Sequence, residues 1–329
     1  MVSGVSGTCR ARADRGSRIF VEELERFAAA ISEPRCAAIA ERLAAPLRVA
    51  VSGRRGVGRT TVARALARAG VAVTTANRAD LGVYVLADAV KPEDCAAVAA
   101  AGRPLLVVLS KADLVCTTAT GRYPDGPTDA ARARCAQLSA RVGTPVEPLI
   151  GLLAVAALDD PLWAELQAVA AGQTPVGRRL RETLDAFGVR QAATAIRRGA
   201  TRADTEAQLR GVSGIDHVVD KIGALGAPLR YQRVCDAVAQ LEAMAVTDRR
   251  IGEFLVHDDT VVARMTNAVD AVESIGLDVD HGDTVDAHLR RATHWQRHRR
   301  GPAAGIERAC GADIVRGSLR LWSKAGGSV

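Results

Sequence analysis

The chain has 329 residues, of which 48% are hydrophobic and 25% charged, and its formal net charge is +7. This composition excludes a disordered chain, and seven scattered cysteines without a CxxC pair exclude a disulfide-built miniprotein. Aromatic residues make up only 3%, so Ala, Val, Leu and Ile must build the core, which favours packed helices and buried parallel strands. The length suggests about two domains, and the mild positive charge permits anionic partners without implying one.

The first 18 residues are polar and basic and show no hydrophobic periodicity. We expect them to form a mobile tail. Neither this segment nor a later one contains the apolar run of a signal peptide or a membrane span. The sequence therefore predicts a cytoplasmic protein, and contact with the periphery of a membrane stays open.

Two amphipathic helices are predicted over residues 19–46. Phe20, Leu24, Phe27 and Ile31 recur along one helical stripe, and Pro34 begins the second helix. Because each helix has an apolar stripe that needs covering, we expect the pair to pack against the helices at the other end of the chain.

Short apolar strands alternate with helices from residue 47 to residue 171. The strands are predicted at 47–52, 71–73, 81–86, 105–109 and 145–150. This alternation predicts a parallel sheet with helices on both faces.

Strand signals are missing after residue 177. Residues 178–329 form a predicted helical domain with breaks at 211–214, 223–228, 276–282 and 301–305. The predicted fold class is therefore an α/β domain with a parallel sheet flanked by helices, followed by an all-α domain.

A glycine-rich loop follows the first strand and precedes a helix. Its sequence, GRRGVGRT, fits the phosphate-binding pattern GxxxxGK[ST] except that arginine replaces the lysine. Backbone amides of such a loop, with the positive end of the helix, form a nest for phosphates. We assign phosphate contacts to Gly53, Arg54, Arg55, Gly56, Val57, Gly58, Arg59, Thr60 and Thr61, with the Thr60 hydroxyl as a Mg²⁺ ligand.

A second motif, VVLSKAD, ends the strand near residue 109. It resembles the guanine-specificity motif [NT]KxD, with Ser110 in the first position and Lys111 and Asp113 in the others. A carboxylate at Asp113 can accept from N1–H and the 2-amino group of guanine, a donor pair that adenine lacks. Lys111 is one of only four lysines, and it stands where this motif needs one.

The elements that support hydrolysis are missing from the sequence. No DxxG motif lies between Thr60 and Leu81, where Thr74, Thr75 and Asp80 are the nearest metal or switch candidates. Order–disorder switching on the γ-phosphate therefore has no evident machinery.

Taken together, the chain resembles the dynamin-like and Era-like GTPases of actinobacteria. The resemblance rests on VAVSGRRGVGRTT, DLGVYVLADAVKPED and RPLLVVLSKADL, on the two preceding helices, and on the segments LDAFG (184–188) and LRGVSG (209–214). Arginine at position 59, the missing DxxG and a short helical region depart from that family. The resemblance implies that the α/β domain is a degenerate P-loop domain similar to a G domain. It also implies binding of GTP or GDP with Mg²⁺, helical self-association or pairing with a related GTPase-like protein, and membrane proximity.

We therefore expect a guanine-nucleotide-binding protein of dynamin-like organisation with weak or no hydrolysis. The alternative is a pseudo-GTPase, an interaction scaffold that binds no nucleotide. A basic helix around His294, Trp295 and His298 is a further candidate for contact with a membrane or nucleic acid; its arginines are Arg290, Arg291, Arg297, Arg299 and Arg300.

Overall fold

Five parallel strands form one sheet, which confirms the fold expected from the alternation of strands and helices. The computed structural model describes residues 15–116, 127–301 and 305–327. The strand order is β2-β1-β3-β4-β5, and every neighbouring pair is parallel. The strands are β1 (Arg48–Gly53), β2 (Ala72–Thr74), β3 (Leu81–Leu86), β4 (Leu105–Ser110) and β5 (Val146–Leu149).

Helices make up most of the remaining chain. In the first part they are α1 (Arg15–Ile31), α2 (Pro34–Ala44), α3 (Arg59–Arg68), α4 (Pro92–Ala99), α5 (Pro127–Val142), α6 (Gly151–Ala154), α7 (Asp160–Ala170) and α8 (Arg178–Arg197). In the second part they are α9 (Arg202–Ser213), α10 (Ile215–Ala245), α11 (Arg249–Val256), α12 (Asp258–Ser274), α13 (Val285–Arg300) and α14 (Gly305–Lys324).

The chain divides into two compact units. Leu47–Ile222 form the first, here called the sheet unit, and residues 1–46 with 223–329 form the second, here called the helical unit. The sequence places a boundary between residues 171 and 178, whereas the sheet unit continues through α8 and α9. These two helices join it because Leu180, Leu184 and Leu209 are buried in one cluster with α6 and α7.

The strand order of the sheet unit creates a switch point between β1 and β3. From β1 the chain moves to β2 on one side, and then to β3, β4 and β5 on the other. In open parallel sheets, ligands bind in the crevice at the carboxyl ends of the strands where the order reverses. All six residues of β3 are buried, so this central strand is covered on both faces.

The helical unit has two apolar clusters. In one, Phe20 and Leu24 of α1 pack with Val234 and Leu241 of α10 and with Phe254 of α11. The other surrounds Trp295, which is 1% exposed, and includes residues of α12, α13 and α14. The N-terminal helices thus cover their apolar stripes with C-terminal ones.

Two local expectations differ from the structure. The tail predicted over residues 1–18 is wrong for its last four residues, because α1 begins at Arg15; residues 1–14 lie outside the described residues. The break predicted at 223–228 is absent, and α10 passes through Pro228. Burial of Ala227 and Tyr231 favours the continuous helix. Proline disturbs the hydrogen bonds of the turn before it, and in that turn the Arg230 guanidinium donates to the Gly223 carbonyl at 2.6 Å.

Within the described ranges, the helices are all too short or too polar to cross a membrane.

Candidate functional site

The glycine-rich loop (53–60) joins the end of β1 to α3. A side chain at Gly53 would lie 2.5 Å from the Val85 carbonyl oxygen, so β1 approaches β3 closely only with glycine there. Gly58 precedes α3 in the left-handed conformation and provides no side-chain cap. The first N–H groups of α3 therefore have no side-chain acceptor, and they lie at the switch point of the sheet.

Arg54 belongs to a buried polar cluster rather than to the open part of the loop. Its Nε donates to both carboxylate oxygens of Asp94 at 2.8 and 3.0 Å, and its Nη2 donates to the Ala89 carbonyl at 3.0 Å. Asp94 is fully buried and also accepts from the Tyr84 hydroxyl and the Lys91 amide.

The protonation of this cluster follows from its hydrogen bonds. Burial acts to raise the pKa of Asp94, but bonds from Arg54, Lys91 and Tyr84 outweigh it and hold that pKa below its usual value. Burial, with Asp94 as the acceptor, raises the pKa of Tyr84 to about 12. Asp94 is therefore the anion that holds the Arg54 guanidinium.

The remaining loop residues are mostly open to solvent. Arg55, Gly56, Arg59 and Thr60 are exposed, and Arg55 and Arg59 have no side-chain partner in the part of the chain that the structure describes. Two guanidinium groups beside an uncapped helix start make this end of the sheet suited to an anion.

Ser110, at the end of β4, connects the two predicted motifs. Its Oγ lies 2.5 Å from the Val57 carbonyl oxygen in the glycine-rich loop and 3.0 Å from the Leu86 carbonyl oxygen at the end of β3. Val57 and Ser110 are both buried. The hydroxyl has one proton to donate to these acceptors, and through it the loop is fixed to two central strands.

Lys111 and Asp113 form the turn that follows β4. Lys111 has a left-handed backbone (φ 53°), and its carbonyl accepts from the Leu114 amide at 3.0 Å. Asp113 is only 8% exposed, whereas the Lys111 side chain lies at the surface. This turn places a buried carboxyl group beside an exposed lysine.

One cavity of about 280 Å³ brings the two motifs together. Gly58 and Thr61 line it from the glycine-rich loop and α3, and Ser110, Lys111 and Asp113 line it from the end of β4. Residues about fifty positions apart in the sequence thus face the same space. The other loop residues assigned to phosphate contact do not line this cavity, which reaches the loop only at its last glycine.

Asp185 also lines the cavity, and the sequence analysis did not identify it. It lies within the helical run of α8, but its own backbone is not helical (φ 60°, ψ 172°). Asp185 and Asp113 therefore border the same space. Burial, together with the negative field of Asp185, raises the pKa of Asp113 against the opposing effect of Lys111.

The LRGVSG segment anchors the neighbouring loop. The Ser213 carbonyl accepts from the Ile150 amide at 2.9 Å, just after β5. Gly214 is left-handed (φ 78°), and a side chain there would lie 2.8 Å from the Pro148 carbonyl oxygen. Ile150 and the following Leu152 line the cavity, so this contact fixes one of its walls.

Two other features lie outside this cavity, although the second shares Ile150 with it. Asp80 is at the amino end of β3 and accepts from the Arg48 amide at 2.7 Å, at the edge of the sheet opposite to the glycine-rich loop. A larger cavity of about 550 Å³ beside β5 is lined by Glu147 and His217 and contains none of the predicted site residues. No cluster of metal-binding His, Cys, Asp or Glu side chains occurs among residues 15–116, 127–301 and 305–327.

Comparison of the chain with protein-family models, curated proteins and solved structures found no match.

Proposed function

We propose that the sheet unit binds a guanine nucleotide, GTP or GDP, and hydrolyses it weakly or not at all. The observation that carries this proposal is the shared cavity, in which Gly58 and Thr61 of the loop and first helical turn face Lys111 and Asp113 of the guanine-type motif. A nucleotide needs both an anion site and a base site at the distance that one molecule spans. Here the two would lie at the carboxyl ends of β1 and β4, which are separated by β3.

The phosphates would lie against the start of α3. Gly56 and Gly58 have left-handed backbones, and the first amides of the helix are uncapped. Arg55 and Arg59 would supply positive charge from the solvent side. Because the nest consists of backbone amides, replacement of the usual lysine by Arg59 does not remove it.

The base would enter between apolar and charged walls. Leu114 and Leu152 are partly exposed and line the cavity. The aliphatic stem of Lys111 would cover one face of the ring, and the Asp113 carboxylate would accept from N1–H and the 2-amino group. Ser110 positions this turn relative to the loop through its bond to Val57.

The residues fit the nucleotide better than they fit a metal-dependent hydrolysis. When bound, Mg²⁺ would offset phosphate charge, and Thr60 is the residue that would hold it. The carboxyl end of β2 provides Thr74 and Thr75 and no carboxylate. Asp88, which follows β3, is a carboxylate that already has a cationic neighbour, because its Oδ1 lies 3.8 Å from Arg134 Nη2. This donor set supports binding in preference to turnover.

Titration with a fluorescent GTP analogue, with and without Mg²⁺, tests the proposal. We expect micromolar binding that is lost in Asp113→Ala and kept in Asp160→Ala, an exposed aspartate on α7 that serves as the matched control. Binding by neither the wild type nor the control at millimolar nucleotide would contradict the proposal and favour the nucleotide-free scaffold. Phosphate release, measured in parallel, tests for hydrolysis.

A second candidate function is contact between α13 and an anionic surface. Arg297 and Arg300 are exposed on this helix, and the structure gives them no side-chain partner among the residues it describes. Binding to RNA or anionic vesicles that falls steeply with salt and is lost in Arg297→Ala would support it. Self-association, or pairing with a related GTPase-like chain through the helical unit, likewise remains a proposal that the resemblance alone supports.

A further inference from the structure

The backbone at Asp185 is held in a conformation that aspartate rarely adopts. Its φ of 60° and ψ of 172° lie in a region that is essentially restricted to glycine. On both sides the chain is fixed by burial, because Leu184 is fully buried and Phe187 is 7% exposed. Gly188 packs so closely on Leu153 that a side chain there would lie 2.4 Å from Leu153 Cδ2.

This distortion places a second carboxyl group in the cavity. Asp185 and Asp113 both line it, so the two residues border the same space. Asp113 is more than nine-tenths buried, so its carboxyl group has little water to replace a lost partner. Two adjacent carboxyl groups in one cavity suit a ligand that presents several N–H donors on one edge.

The edge of guanine has this pattern. N1 carries one hydrogen and the 2-amino group carries two. A single carboxylate accepts two of these three hydrogens in the bidentate arrangement, which leaves the outer amino hydrogen without a partner.

We propose that Asp185 accepts this outer hydrogen of the 2-amino group and thereby helps to select guanine over purines that lack it. This inference rests on the proposed function, which supplies the base, and it adds a residue that the guanine-type motif does not contain. Lys111, which also lines the cavity, provides the opposite charge that offsets two carboxylates when the ligand is bound.

Comparison of GTP with inosine triphosphate, which differs by the absence of the 2-amino group, isolates this contact. We expect the wild type to bind GTP more tightly than inosine triphosphate. Asp185→Asn keeps the size of the side chain and, like aspartate, is a non-glycine residue in this conformation, so the backbone cost is similar in the two proteins. It should reduce the ratio of the two affinities by roughly tenfold, mainly through weaker GTP binding, since a hydrogen bond to a charged group is replaced by a neutral one.

Glu182→Gln is the matched control, because it removes an exposed carboxylate from the same helix and should leave the ratio unchanged. If Asp185→Asn does not fold, as judged by circular dichroism, Asp185→Gly gives the same comparison with a backbone that suits the site. An unchanged ratio in a folded Asp185 variant that still binds GTP overturns the role of Asp185 alone. A wild-type chain that binds neither nucleotide overturns the proposed function.

Discussion

Exchange of Asp185 for glycine and for alanine measures the strain stored at the edge of the cavity. A non-glycine residue in this conformation costs of order 1–3 kcal/mol. Both exchanges remove the bond from the Ala186 amide, at 2.5 Å, and the effect of the Asp185 charge on Asp113, so these losses cancel when the two variants are compared. Only alanine keeps the strain, whereas glycine loses about 0.5–1 kcal/mol more backbone entropy on folding.

The difference predicts that Asp185→Gly is more stable than Asp185→Ala by about 1–2 kcal/mol. At a regular helical position the order is reversed, and alanine is better than glycine by about 1 kcal/mol. Glu182, three residues earlier on α8 and exposed, provides this reversed pair as Glu182→Gly and Glu182→Ala.

Amide hydrogen exchange of the buried strand β3 is the appropriate assay, because it reports the opening of the sheet unit without the helical unit. The predicted difference corresponds to about 5- to 30-fold slower exchange in Asp185→Gly than in Asp185→Ala. If Asp185→Ala protects β3 at least as well as Asp185→Gly does, the order at position 185 is that of a regular helical position. The backbone at Asp185 is then not strained, and the reasoning fails.

Three further measurements test the rest of the site. Asp94→Ala should destabilise the sheet unit by about 3–5 kcal/mol, because it leaves the Arg54 charge and the Tyr84 hydroxyl without their acceptor; a chemical denaturation midpoint equal to that of the wild type would contradict this. Ser110→Ala should cost about 1–3 kcal/mol by leaving the buried Val57 carbonyl without its donor, and it should speed amide exchange in the glycine-rich loop; equal protection of the loop would argue against the connection. Because the pKa of Asp113 is raised in the folded chain, the wild type should lose stability relative to Asp113→Asn as pH rises above about 3.9, the value in the unfolded chain, and parallel stability curves would refute this.

The sequence is sufficient to predict the sheet because its strands are short, apolar and separated by clear turns. Predicted strands at 81–86 and 105–109 correspond to β3 and β4 within one residue. The glycine-rich loop is equally local, since its pattern fixes the turn between β1 and α3. The domain boundary was harder to place, because α8 and α9 look like the helices that follow them and differ only in the cluster that covers Leu184 and Leu209.

The connection made by Ser110 could not be derived from the sequence. In the sequence, Ser110 is only a departure from the asparagine or threonine that the guanine-specificity motif has at this position. Its contact with Val57 and Leu86 depends on how the ends of β3 and β4 lie beside the loop, which is a property of the sheet and not of either segment.

Asp185 was missed for a different reason. The run from 178 to 197 has a helical pattern throughout, and one residue with a non-helical backbone changes no periodicity. The only local hint is aspartate itself, which favours helix starts over helix interiors. Tertiary packing of Leu184, Phe187 and Gly188 determines the distortion, so only the folded chain shows where the carboxyl group lies.

Binding and hydrolysis place different demands on this fold, and the chain meets the first more fully than the second. Holding a triphosphate needs backbone amides and positive charge, which the uncapped start of α3 and the exposed Arg59 provide. Turnover also needs a group that responds to the γ-phosphate, and the segment between α3 and β3, residues 69–80, contains no DxxG motif. A partner could add an arginine in trans, as GTPase-activating proteins do, but under the proposed function it would act on a site in which Asp113 already holds the base. Under the proposed function, selection of the base and catalysis at the phosphates would be separable, since Ser110 and Asp113 are buried whereas Arg59 and Thr60 are open to solvent.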